Sequence, residues 1–319
     1  MTAPKYSIII PVYNRPQEVD DLLQSLTRQS FQDFEVLIIE DGSSVKSDVI
    51  FEKYASLLNI QYFFKPNSGP GPSRNFGFEK ANGEYFIAFD SDCQVPSHYL
   101  EVVEKTLRTE KLDAWGGPDR GHENFTPLQQ AMAYTMSSVF TTGGIRGGKS
   151  KNFQPRSFNM GISREVFKIT DGFHFDRFAE DIEFSVRLKK LGFRVGLIPD
   201  AFVYHQRRAT LKEFFKQVSN FGKGRVLVGR VHPGEVKLVH WFPSFFLLGL
   251  LSLLPVAFLN PPVGEVAFLL YLLYLIAIGA DSFKKTKSAM VAMFSIPSAV
   301  IQLTGYGYGF LREILHFIT

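Results

Sequence analysis

Three long apolar stretches close the chain, and no other feature limits its possible folds as much. Residues Trp241–Leu259, Val266–Ala280 and Ala289–Leu311 contain no charged side chain. A bilayer core about 30 Å thick is crossed by roughly 20 helical residues, so the first and third stretches are long enough; the second becomes so once Val263–Glu265 is added. Pro243, Pro255 and Pro297 do not argue against membrane helices, because neighbouring groups there satisfy the freed backbone. A soluble lobe built from three such runs would have no polar surface to offer water. The pattern therefore predicts an all-α membrane region of about three helices over 239–319. Lys and Arg occur before the first stretch (Lys223, Arg225, Arg230, Lys237) and in loop 281–287 (Lys284, Lys285, Lys287), and are absent from loop 260–265. That bias predicts an integral membrane protein with its N-terminal domain on the cytoplasmic face of the inner or plasma membrane. The C-terminal end would face the other side unless the third stretch is re-entrant or lies in the interface.

The first two thirds read differently. Ser7–Val12, Phe34–Ile39, Ile60–Phe64 and Glu84–Phe89 are strand-like, and helical spacing separates them, as in Val19, Leu22, Leu23 and Leu26. Such alternation predicts an α/β domain over 1–209 with a mainly parallel sheet covered on both faces. Phe158–Ile162, Phe193–Ile198 and Ala201–Tyr204 read as further strands, and Glu180–Leu191 as a helix closed by Gly192. Residues 210–238 form an amphipathic segment, with Leu211, Phe214, Phe215, Val218 and Phe221 on one helical face. That face either packs on protein or lies in the membrane plane. The pattern loosens over 118–155, where a basic cluster from Lys149 to Arg156 reads as a surface loop or a loop over the site. Met1–Lys5 is polar and Tyr6–Val12 is too short for an export signal. A net charge of +4 gives no field for nucleic acid. The single cysteine, Cys93, excludes an internal disulfide and a cysteine-rich zinc site, and reads as a small buried residue.

Ligands of parallel sheets bind beyond the carboxyl ends of the strands. Here those ends carry Asn14, Asp41 and the acidic pair Asp90-Ser91-Asp92. Paired carboxylates after so apolar a strand are hard ligands, suited to Mg²⁺ or Mn²⁺ and, through the ion, to a diphosphate. Glu180-Asp181 opens a helix, either as its cap or as a general base tuned by a neighbouring acid. Trp115, before Gly116-Gly117, is an aromatic platform for a ligand or a core residue.

Taken together, Ile9-Ile10-Pro11-Val12-Tyr13-Asn14, Glu40-Asp41-Gly42-Ser43, Arg74-Asn75 with Gly77, Asp90-Ser91-Asp92 and Glu180-Asp181 resemble, in order, the family 2 glycosyltransferases. The resemblance covers roughly residues 5–225. It implies the GT-A nucleotide-diphospho-sugar transferase fold, inversion at the sugar, and a UDP- or GDP-sugar donor. Carried onto this chain, it places Pro11, Val12 and Asn14 beside the nucleotide, Asp41 on the base, Arg74 near the sugar or phosphates, and Asp90 on a sugar ring or the ribose. Asp92 would ligate the metal, completed by His205 unless that histidine is structural, and Asp181 would be the base. Residues 217–225 are similar to the Gln-x-x-Arg-Trp motif of processive synthases, with Arg225 facing the leaving diphosphate. The missing Trp favours addition of a single sugar to a lipid-linked or glycan acceptor, as in polysaccharide and cell-envelope synthesis. Two readings compete: a polyprenyl-phosphate sugar synthase, whose ionised acceptor needs no strong base, and a catalytically inactive membrane scaffold.

Overall fold

Strand β1 (Tyr6–Val12) sits at the centre of the sheet because both its faces are apolar: Ile8 and Ile10 point to one side and Ile9 to the other, all fully buried. The computed structural model describes residues 3–121, 125–142 and 153–318. The expected loop region over 118–155 falls partly on 122–124 and 143–152, outside the described residues. Two compact units emerge, one from residues 3–121 and 153–206, the other from 125–142 and 207–318. The sequence pattern predicts one domain over 1–209. The structure assigns 125–142 and 207–209 to the second unit instead, where Met132 and Met136 share an apolar cluster with Phe214 and Val218.

In the first unit the chain alternates β1, α1 (Pro16–Leu26), β2 (Phe34–Asp41), α2 (Asp48–Tyr54), β3 (Ile60–Lys65), α3 (Pro70–Lys80) and β4 (Tyr85–Phe89). There follow β5 (Cys93–Gln94), α4 (Tyr99–Glu110), β6 (Ala114–Gly116) and β7 (Asp119–Arg120). After the second unit's α5 (Pro127–Ser137) and α6 (Val139–Thr142) come β8 (Asn159–Ser163), α7 (Arg164–Thr170), α8 (Glu180–Lys190), β9 (Val195–Leu197) and β10 (Val203–His205). The seven-stranded sheet has the order β3-β2-β1-β4-β8-β6-β9. Its pairings are parallel except that β8 runs antiparallel to both β4 and β6. Alternate side chains of β1 and β2 feed two cores. Ile8, Ile10, Val36 and Ile38 meet α1 and α4, while Ile9, Leu37 and Ile39 meet α3 and α8. The order reverses at β1, whose neighbours are β2 and β4, and a crevice opens at such a switch point.

A second, three-stranded sheet, β5-β10-β7, lies beside that crevice. Its register pairs His205 with Cys93, which brings the end of β10 against the acidic pair after β4. Trp115 is wholly enclosed in the core, so the reading of it as a ligand platform is corrected. A Cβ at Gly161 on the paired strand would lie 2.0 Å from its ring.

In the second unit, α9 (Leu211–Val231) starts at a Thr210–Glu213 capping box and buries Phe214, Val218, Gly222 and Val226. The apolar face read from the sequence thus packs on protein. The membrane-type helices are α10 (Phe242–Leu259), α11 (Pro261–Thr286) and α12 (Ala289–Ile318), all long and apolar enough to cross a bilayer.

Candidate active site

The end of β1 is tied to the end of β2 by Asn14. Its backbone is left-handed, with φ 55°, and its Oδ1 accepts from Ser44 N at 2.8 Å and Val45 N at 3.0 Å. Asparagine tolerates that conformation because its short polar side chain bonds locally. Glu40, buried, accepts from Ser43 Oγ and from Ser47 N, and sets the same loop. Pro11 and Val12 lie just before this turn. Val12 is turned into the core, so only its backbone borders the crevice.

Asp41 is enclosed by the loop after β3. Its carboxylate accepts from Lys65 Nζ, Ser68 N (2.9 Å) and Gly69 N (2.8 Å). Burial pushes its pKa up, but the Lys65 bond and the two amides outweigh this and hold it below the usual carboxylate range. Here Asp41 organises the loop at residues 65–69 rather than presenting a bare carboxylate to a base.

Arg74, on α3, is 2% exposed and joins the two acidic motifs: Nη2 donates to Asp90 Oδ1 at 2.6 Å and Nη1 to Glu180 Oε1 at 3.0 Å. Ser157 Oγ donates to the same Glu180 oxygen at 3.1 Å. Burial and the charge of Asp181 raise the pKa of Glu180, against the pull of Arg74. Glu180 is thereby consumed by internal partners, whereas the Asp181 carboxylate remains partly open, 3.7 Å from Arg156 Nη1. Both acids are presented by Ala179, held at φ 57°, an unfavourable conformation for a residue with a Cβ. Strain of this kind clusters at functional sites.

Asp92 lies between two cations or potential cations. Its Oδ1 is 3.1 Å from His205 Nε2 and its Oδ2 is 3.5 Å from Arg15 Nη1. Phe158 stacks on the His205 ring at 4.8 Å and fixes its plane. Asp92, Cys93 and His205 form a cluster whose ligand atoms all lie within 4.8 Å of one another. Cys93 contributes little to it: burial and the nearby Asp92 and Asp90 charges hold its thiol protonated, 3.5 Å from the Phe158 carbonyl. The remaining carboxylate–imidazole pair offers one oxygen and one nitrogen ligand to a divalent ion.

The structure thus brings together Asn14, Arg74, Asp90, Asp92, Glu180, Asp181 and His205 in the first unit, with Asp41 closing the neighbouring loop. Arg225 is buried in α9 of the second unit. Arg15, Arg156, Ser157 and Phe158 were missed. Arg15 directly follows the strand-end Asn14, a usable signal; Arg156 closes a basic cluster that reads as a surface loop or a loop over the site, and Phe158 reads as the start of a strand.

Comparison with known proteins gives consistent matches. Residues 7–170 match the profile described as Glycosyl transferase family 2, and residues 151–280 that of Glycosyl transferase family group 2. A Methanococcus voltae protein named dolichyl N-acetyl-alpha-D-glucosaminyl phosphate 3-beta-D-2,3-diacetamido-2,3-dideoxy-beta-D-glucuronosyltransferase is 24% identical over 97% of each chain. A Rickettsia bellii uncharacterized glycosyltransferase is 40% identical over 103 residues, which are 32% of this chain and 15% of that one. Among solved structures, the mannosyltransferase PcManGT from Pyrobaculum calidifontis, in complex with GDP-Man and Mn²⁺, superposes with a TM-score of 0.59 at 16% identity. That match covers 95% of this chain and 88% of the other.

Proposed function

The chain belongs to glycosyl transferase family 2 and has the GT-A fold; on that premise we propose that it moves a sugar, with inversion, from a UDP- or GDP-sugar to a hydroxyl of a membrane-associated, lipid-linked acceptor at the cytoplasmic face. The observation that carries the proposal is the convergence of Asp92 and His205 with the Arg74–Asp90–Glu180 cluster beside an open Asp181. Asp92 and His205 would hold a divalent ion. Such an ion, when bound, offsets the charge that develops on a departing nucleoside diphosphate.

The remaining steps belong to this chain's own side chains. Arg74 fixes Asp90 and Glu180 through two charge-assisted bonds, so Asp90 reaches the crevice with a set direction for a sugar or ribose hydroxyl. Asp181 takes the proton from the acceptor hydroxyl as it attacks. Its Oδ1 accepts from Ile182 N at 2.8 Å, which orients the carboxylate. Glu180, held by Arg74 and Ser157, fixes the start of the helix beside it, a role of positioning. Asp41 and Asn14 shape the loops that would border the nucleotide. The lipid-linked acceptor is supported by the apolar helices and by the dolichyl compound in the name of the Methanococcus voltae relative.

The test is a panel of UDP- and GDP-sugars incubated with membranes carrying the protein, with Mn²⁺ or Mg²⁺, reading nucleotide release. Loss of release in excess EDTA, return with Mn²⁺, and loss in Asp92→Ala are expected; equal turnover in EDTA refutes the metal assignment. Asp181→Asn should lower turnover by about 10²–10⁴-fold if the acceptor is a hydroxyl. Retention of most activity would point instead to a phosphate acceptor.

A further inference from the structure

Within the second unit, the three apolar helices are not alike. Protein buries 17% of the most apolar window of the first span and 11% of that of α11, but 44% of that of α12. The outward side chains of α10 and α11, among them Leu251, Leu254, Phe258, Val266, Leu269 and Leu273, lie open on the pair's surface. These two helices are joined by Asn260 alone and pack on each other: Tyr271 Oη donates to the Phe246 carbonyl at 2.8 Å, and a Cβ at Gly264 would lie 2.3 Å from Ala257 Cα. At 18 residues, α10 is about 27 Å long, close to the hydrocarbon thickness.

α12 meets the start of α10 and the last turns of α11, at Pro243 and Ser282, and packs most closely along α9. Its Gly305 and Gly309 lie against Val218 and Ser219 of α9, and Ile301 packs on the cluster of Met132, Met136 and Phe214. Glu313, 8% exposed, receives Arg230 Nη1 at 3.0 Å, with Lys223 Nζ 3.7 Å away. At the other end, Ser295 shares a hydrogen bond of 2.7 Å with Ser282 of α11, the residue after Asp281, whose carboxylate pairs with Lys285 on the same helix. A helix whose two halves are matched to ionised and polar groups, along α9 with its Lys212, Glu213, Lys216, Lys223 and Arg230, cannot cross hydrocarbon without carrying those charges into it. Each would cost several kcal/mol.

We infer that the α10–α11 hairpin alone enters the bilayer, and that α12 stays outside the hydrocarbon as the partner of α9. The C-terminal end of α12 then lies on the same membrane side as α9, which corrects the topology that three crossings would give. The occupant of the exposed hairpin surface is lipid hydrocarbon. Both ends of the hairpin carry Lys (Lys237, then Lys284, Lys285 and Lys287), while its tip, Asn260–Glu265, has none.

Single cysteines in a Cys93→Ala background test the inference with a membrane-impermeant maleimide on sealed vesicles of known orientation. Lys216→Cys on α9 and His316→Cys near the end of α12 are expected to label from the same side, to within about twofold. Val263→Cys at the hairpin tip is expected to resist labelling from that side. Labelling of His316→Cys only from the opposite side, or from neither side until detergent is added, overturns the inference, as does tip labelling from the α9 side. An epitope tag appended after Thr319, which replaces no side chain, repeats the reading by protease access, and protection of the tag on the α9 side overturns it equally.

Discussion

Replacing Arg74 by Met removes the cation that links Asp90 to Glu180 and leaves their carboxylates in place. The two ion pairs, at 2.6 and 3.0 Å, are each worth roughly 6 kcal/mol gross at an effective dielectric of about 20. Most of that is offset by the desolvation of a guanidinium that is 2% exposed. What remains on removal is the cost of a buried Glu180 without its countercharge, about 3–5 kcal/mol. Asp90, one-third exposed, is rehydrated and adds little. In a domain of about 200 residues this lowers the melting temperature by roughly 6–20 °C. The readout is Trp115 fluorescence in a Trp241→Phe background of the detergent-solubilised full chain, at one scan rate because unfolding of such proteins is commonly irreversible. The double variant Arg74→Met with Glu180→Gln should recover at least half of the loss, since neither charge is then stranded. The pH dependence has a defined sign. Glu180 already has a raised pKa, and without Arg74 it rises further, so the folded form binds its proton more tightly than the unfolded chain. The deficit of Arg74→Met should therefore shrink as pH falls from 7 towards the ordinary carboxylate range. A drop under about 3 °C, or strictly additive losses in the double variant, would refute the reasoning.

Two more outcomes follow from the packing. Gly161→Ala places a methyl within 2.0 Å of the Trp115 ring and should cost about 3 kcal/mol, visible as an earlier urea midpoint; an unchanged midpoint would mean that β6 and β8 yield freely. Glu104 accepts from Lys5, Tyr6 and Arg108, which outweigh its burial and hold its pKa down to about 2. Stability should therefore fall as pH drops from about 4.5 towards about 2, by about 1–2 kcal/mol once solvent screening of Lys5 and Arg108 is allowed for, and Glu104→Gln should flatten that slope in acid titrations.

Periodicity was enough to read the core of the first unit, because a strand buried on both faces, such as Ser7–Val12, leaves few alternatives. The acidic pair was legible for a similar reason, since charges placed directly after an apolar strand face its carboxyl end, whereas Asp181 stood out only at a helix start and through the family resemblance. Pairings between distant segments were not. Nothing near His205 in sequence tells that its strand registers against Cys93, more than a hundred residues earlier, and nothing near Glu180 announces Arg74. Trp115 shows the opposite error: an aromatic beside two glycines suggested a platform, but Gly161 on the neighbouring strand makes room for the ring inside the core. Freedom from charge over Ala289–Leu311 made α12 legible as a helix long and apolar enough to cross a bilayer, but gave no sign that protein buries 44% of its most apolar window.

The alternating glycines of α12 have a consequence for how this chain tolerates change. Positions 305 and 309 meet one neighbour and 307 another, with hypothetical Cβ atoms 2.6, 2.0 and 2.4 Å from Val218, the Ser219 carbonyl and the Pro243 carbonyl. The rod is pinched from two directions, so adding even one carbon at any of the three pushes helices apart. Three residues with no side chain are therefore hard to replace for reasons of packing alone.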